Sequence, residues 1–165
     1  MQTFAGGLVI ADGVFTNSTG PMTVVGPVLQ TAGVFGGDGT VDALTVLGGT
    51  AVPGAGVLSV AGAVGFDSAT TFDAVLNSAD PAGGYGQLVA GGPVDLGGST
   101  LVLALGYTPQ VGHSFTLLTT SDAGGISGAF AGLGEGATFT QGGFVFQITY
   151  QGGADRRSVV VTCVG

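Results

Sequence analysis

The sequence predicts an all-β chain folded as a parallel β-helix, a β-solenoid, with an antiparallel hairpin cap at its C-terminal end. Three observations carry that expectation. Short runs of Val, Leu, Thr and Phe recur between glycine pairs almost from end to end. Of the 165 residues, 35 are glycine and only 7% are charged, against about 25% in an average globular domain. No stretch keeps apolar residues at three- and four-residue spacing over several turns, because glycine recurs too often for a helix to propagate.

The clearest repeat units are Leu44-Thr45-Val46-Leu47-Gly48-Gly49-Thr50, Val57-Leu58-Ser59-Val60-Ala61-Gly62, Val94-Asp95-Leu96-Gly97-Gly98-Ser99-Thr100 and Leu101-Val102-Leu103-Ala104-Leu105-Gly106. A strand-and-turn pattern that repeats at the length of one coil is the mark of a solenoid. Runs rich in β-branched and aromatic residues predict strands over 8–10, 14–16, 22–25, 28–30, 41–47, 57–60 and 72–76. Further strands are expected over 87–89, 94–96, 100–105, 114–119, 137–140, 144–150 and 158–163. With about 20 to 25 residues to a coil of three strands, the chain holds roughly seven coils. Inward side chains then stack into ladders, and the terminal coils are left with unpaired edges that need a cap or a partner.

One domain is expected over 1–165, with regular coils over 1–113 and the closing coils and cap over 114–165. From Phe115 onward the runs alternate and are joined by glycine turns, as antiparallel hairpins are. Phe130, Phe139, Phe144, Phe146 and Tyr150 are expected to plug the open end of the core.

Ten acids face two arginines and no lysine, for a net charge of −8. Phosphate recognition draws on clustered cations, so neither nucleic acid nor an anionic membrane is an expected partner. The most apolar window, Ala51 to Phe66, is broken by Pro53 and four glycines, and no membrane insertion is expected. Met1 to Leu8 reads as repeat sequence rather than as an export signal, lacking a basic start and an apolar run. Cys163 is the single cysteine. It is expected as a small core residue sharing a face with Val159 and Val161, an intermolecular disulfide being the alternative.

No catalytic, cofactor or metal site is expected. His113, the one histidine, stands at a strand start without a second ligand nearby. Ser114 beside it makes no triad, which needs a base and an orienting acid arranged in space. Asp73 and Asp95 would form a carboxylate pair suited to glycosidic chemistry only if their coils stack in register. Asp12, Asp38, Asp67, Asp80 and Asp122 adjoin Gly, Ala or Ser and read as turn aspartates. The glycine pairs precede no helix and carry no lysine, so they lack the parts of a phosphate loop.

The run Gly48-Gly49-Thr50-Ala51-Val52-Pro53-Gly54 through Gly56-Val57-Leu58-Ser59-Val60 resembles the passenger-associated β-strand repeat of bacterial autotransporter-like proteins. Tyr85-Gly86-Gln87-Leu88-Val89, Gly97-Gly98-Ser99-Thr100-Leu101, Tyr107-Thr108-Pro109, Val111-Gly112-His113-Ser114-Phe115 and the stretch from Gly128 to Gly153 resemble the C-terminal end of such passengers. The resemblance covers about residues 33–162. It implies a right-handed β-helix that is secreted or displayed at the cell surface, serving as a stalk or fibre. Where the family often has an acidic Gly-Asn-Asp turn before its last strand, this chain has Ala154-Asp155-Arg156-Arg157, so no calcium role carries over.

The expected function is therefore that of a non-enzymatic structural protein of the cell surface or extracellular space, a solenoid stalk or self-assembling fibre subunit. Arg156 and Arg157, the only fixed side-chain cations, are the expected docking point for an acidic flank of another copy, giving head-to-tail association along the solenoid axis. The alternative is an adhesin-like module whose flat sheet face takes glycans or a host surface. Exposed aromatic rows would favour binding, and inward aromatics a scaffold.

Overall fold

The structure, a computed structural model, describes residues 2–17, 20–80 and 83–165. Among these the chain is all β. The strands are β1 (Gln2–Ala5), β2 (Leu8–Ile10), β3 (Val14–Thr16), β4 (Met22–Gln30), β5 (Val34–Val46) and β6 (Gly49–Val60). They continue with β7 (Val64–Phe66), β8 (Thr70–Leu76), β9 (Gln87–Ala90), β10 (Val94–Asp95) and β11 (Thr100–Leu105). The last are β12 (Ser114–Thr120), β13 (Ile126–Ser127), β14 (Thr138–Gln141), β15 (Phe144–Gly152) and β16 (Ser158–Cys163). All belong to one mixed sheet that does not close on itself.

Up to β13 every named strand pairing but the one to β16 is parallel, and the pairings fall into three ladders. In the first, β1, β4, β5, β6, β9 and β12 follow one another, so that Met22, Gly39, Leu58, Leu88 and Leu118 form a column. Four of those five carry buried side chains. The neighbouring column, Thr3, Thr23, Thr40, Ser59, Val89 and Thr119, faces outward. Alternation along a strand thus becomes an apolar stack inside and a hydroxyl-rich row outside. A second ladder stacks Leu8, Val28, Leu44, Val64, Val94 and Ile126. A third stacks Phe15, Phe35, Ala51, Phe72 and Leu101. The Phe15 and Phe35 rings lie 6.0 Å apart in that stack.

Several elements are longer than the sequence pattern predicts. Residues 22–25 and 28–30 are one strand, β4, and β5 and β6 begin well before 41 and 57. Gly26 and Pro27 read as breakers, yet here they form a bulge at which β4 bends and passes from its β1 partner to its β2 partner. The same strand therefore serves two ladders. Strands β1, β7 and β13 were not expected. Their segments hold few β-branched residues, and pairing with a neighbouring layer supplies what local propensity lacks.

Glycine is required where layers cross closely. At Gly97, φ is +55° and an added Cβ would collide with the Phe66 carbonyl oxygen of the layer beneath. Gln30, fully buried, lines the interior between Ile10 and Val46. Its Nε2 donates to the Gly33 carbonyl, in the turn before β5, and to the Thr50 carbonyl of β6 at 2.9 and 3.1 Å, while its Oε1 is buried without a hydrogen-bond partner.

The two ends differ. At the C-terminal end β12 pairs antiparallel with β16, β16 with β15 and β15 with β14. The antiparallel hairpins expected there are present. Of the five expected cap aromatics, Phe130 and Phe146 are fully buried, whereas Phe139, Phe144 and Tyr150 are half-buried. Phe130 lies outside the hairpins, in a turn bridged to Leu133, and its ring caps Phe72 at 6.0 Å. Cys163 is buried on β16 beside Val159 and Val161, as its alternation predicts. At the N-terminal end, among the described residues, β1, β2 and β3 each pair on one side only, as β11 and β13 do at the other ends of their ladders, and Phe4, Leu8 and Phe15 remain half-buried.

Candidate interaction site

The two arginines lie on the turn between β15 and β16. Arg156 has φ +58°, the one non-glycine residue with positive φ among the described residues. This left-handed conformation, uncommon for a side-chain-bearing residue, leaves Arg156 exposed. Arg157 is tied down: its Nη1 donates to the Ser121 carbonyl at 3.1 Å, and its own carbonyl accepts from the Thr120 N–H at 3.0 Å. The turn is thereby pinned to the end of β12.

Beside the arginines opens a groove of about 540 Å³ lined by the glycine-rich corner 123–126, by Gly128 and Ala129, and by Glu135, Tyr150, Gln151 and Asp155. Glu135 is held in place by accepting from the Thr149 hydroxyl at 2.5 Å and the Tyr150 N–H at 2.7 Å. The Tyr150 hydroxyl donates to the Leu133 carbonyl at 2.6 Å and accepts from the Phe130 N–H at 3.0 Å, locking the cap turn. Burial, and secondarily the Glu135 charge, push the Tyr150 phenol above its usual range, against the lowering effect of the Phe130 N–H. Tyr150 thus stays a neutral strut. Arg156 and Arg157 share the groove with two carboxylates, one of them already engaged, which leaves guanidinium donors available to an incoming anion.

The other sequence candidates are not brought together. Asp73 stands opposite Val102 in the third ladder, whereas Asp95 stands opposite Gly65 and Ser127 in the second. The pair that glycosidic chemistry would need does not form. His113 stacks on Tyr107 with ring centroids 6.1 Å apart, and its Nδ1 meets the Tyr107 hydroxyl at 3.1 Å. Ser114 Oγ meets Thr162 Oγ1 at 2.8 Å, not His113. Asp12, Asp67 and Asp122 accept from N–H groups of their own turns, at Gly13, Ala69 and Gly124 respectively. Asp38 instead reaches Asn17 across a layer. Among the described residues no three His, Cys, Asp or Glu side chains gather where they would hold a metal ion. No helix among them is long and apolar enough to cross a membrane.

The arginines stand out in the sequence as its only Lys or Arg residues. Glu135 and the polar role of Tyr150 carry no local motif that marks them. The β14–β15 hairpin and the turn before it bring Glu135 alongside Thr149 and Tyr150. A second, smaller trough of about 300 Å³ lies over Thr45, Gly65, Asp95 and Ser127, where the missing side chain of Gly65 interrupts an outward column.

No protein-family model matches the chain, and no curated protein matches it significantly in sequence.

Proposed function

We propose that the chain is a right-handed parallel β-helix serving as a non-enzymatic structural element of the cell surface or extracellular space, and that it adds to further copies along its axis. The observation that carries this reading is the asymmetry of the ends. One end is covered over the first ladder by antiparallel hairpins and buried aromatics, with β11 and β13 at the ends of the other two ladders paired on one side, while among the described residues the other end leaves β1, β2 and β3 with a free edge each above half-buried Phe4, Leu8 and Phe15. Free parallel edges over an incompletely covered core favour association. All ten phenylalanines and three tyrosines are buried or half-buried, which supports a scaffold over a binding module that offers aromatic rows. The autotransporter-like motifs between Gly48 and Val60 point to the same use and to the same surface location.

Electron microscopy of the purified chain over a range of concentrations tests the reading. Filaments with an axial repeat of one subunit, built of layers about 4.8 Å apart, are expected. Isolated short rods at every concentration would overturn the fibre.

A further inference from the structure

Resting on the proposed axial association, we infer that the groove holding Arg156 and Arg157 is the receptor for one corner of the next copy, and that Asp12 is the residue it takes. A single corner of the fold runs from end to end of the stack. Asp12 and Gly13 make the turn between β2 and β3 in the terminal layer. A Cβ added to Gly33 would collide with the Gly13 carbonyl, and one added to Gly49 would collide with the Gly33 carbonyl. On the adjacent Gly48 it would meet the Ala69 side chain at 4.0 Å. On Gly97 it would lie 2.9 Å from the Asp67 Cα, and on Gly128 it would lie 3.2 Å from the Gly97 nitrogen. These corners therefore form one column, whose first member is Asp12 and whose last, Gly128, lines the arginine groove.

A copy translated along that column arrives with Asp12 over Gly128 and Ala129, beside both guanidinium groups. Asp12 is exposed, and its Oδ1 is steadied by the Gly13 N–H at 2.7 Å. It is the only charged side chain of the first layer, and it meets the only arginines in a molecule of net charge −8. Copies that otherwise repel one another are attracted at this one contact. The joined surfaces are different, so the contact does not close on itself and propagates as a filament.

Charge exchange tests the pairing. Asp12→Arg and the double variant Arg156→Asp with Arg157→Asp are each expected to raise the threshold concentration for assembly at least about tenfold, by sedimentation and microscopy. An equimolar mixture of the two should assemble again, as alternating copies. The N-terminal corner of the Asp12→Arg variant, now cationic, meets the acidic groove of the double variant, while the wild-type pair remains at the next joint. Circular dichroism checks that each folds, and the neutral variants Asp12→Asn and Arg156→Gln with Arg157→Gln should raise the threshold as well. Filaments from the wild type and from every variant at one threshold would overturn the Asp12 pairing and leave axial assembly standing. A mixture that fails to recover would also overturn the pairing. A wild-type chain that stays monomeric would overturn both.

Discussion

Asp73 shows how one residue can work against its fold. Its neighbours Phe72 and Ala74 point inward and are fully buried, so Asp73 faces outward beside Val102 of the next layer. Its Oδ1 is buried without a hydrogen-bond partner, and burial pushes the carboxyl above its ordinary value of 3.8. A carboxyl whose pKa is higher folded than unfolded binds protons more tightly in the native state. Stability therefore falls as pH rises from the unfolded value through the raised one, and the penalty is complete at neutral pH. Asp73→Thr is expected to stabilise the chain at pH 7 by about 0.5–1 kcal/mol, the remaining solvent contact screening the effect. That corresponds to about 1–4 °C in melting temperature. The gain should shrink near pH 3, which thermal melts at both pH values will read. At the same scale, Arg157 gains its fixed position from the Ser121 carbonyl, a contact invisible in a sequence where the two lie far apart.

At the scale of elements, the β14–β15 hairpin turns through Gly142 and Gly143, with φ of +59° and +86°, between the paired Gln141 and Phe144. Two consecutive positive φ values are the geometry of the tightest hairpin turns, and they match the twist of the flanking strands. The side of Gly143 is open, so a substitution there meets backbone strain without a clash. Gly143→Val is expected to cost about 1–2 kcal/mol, and chemical denaturation will measure it. Because this hairpin carries Phe139 and Phe146, stacked 5.8 Å apart, the loss should also loosen the cap. Elements β4, β5 and β6 teach the complementary lesson: glycine and proline inside them bend the strand without ending it, because adjoining layers supply hydrogen bonds on both sides.

For the whole molecule, protection is expected to vary along the stack. Strands β5 and β6 are paired on both sides, whereas β1, β2 and β3 have one partner each. Amides free on an edge and close to solvent open at low free energy. Hydrogen exchange of the dilute chain should therefore be faster in residues 2–16, as in the singly paired β11, β13 and β14, than in β5 and β6. In filaments the N-terminal strands should slow by at least about tenfold, as the next copy covers them. Equal exchange before and after assembly would place the contact elsewhere.

The sequence by itself determined the all-β class, the positions of most strands and the direction in which their side chains alternate. It also singled out Arg156 and Arg157 as the only cations. These follow from local chemistry: glycine frequency rules out helix, and the period of two marks an inner and an outer face. Only the tertiary structure decided that Asp73 and Asp95 belong to different ladders, that Phe130 caps Phe72 from a turn, and that one corner runs from Asp12 to the arginine groove. The physical reason is register. Parallel layers meet across the intervening residues of a whole turn, through backbone groups that are alike at every position. A sequence therefore shows which side of the strand a residue faces, while the lengths and bulges of all the turns together set which residue lies above it.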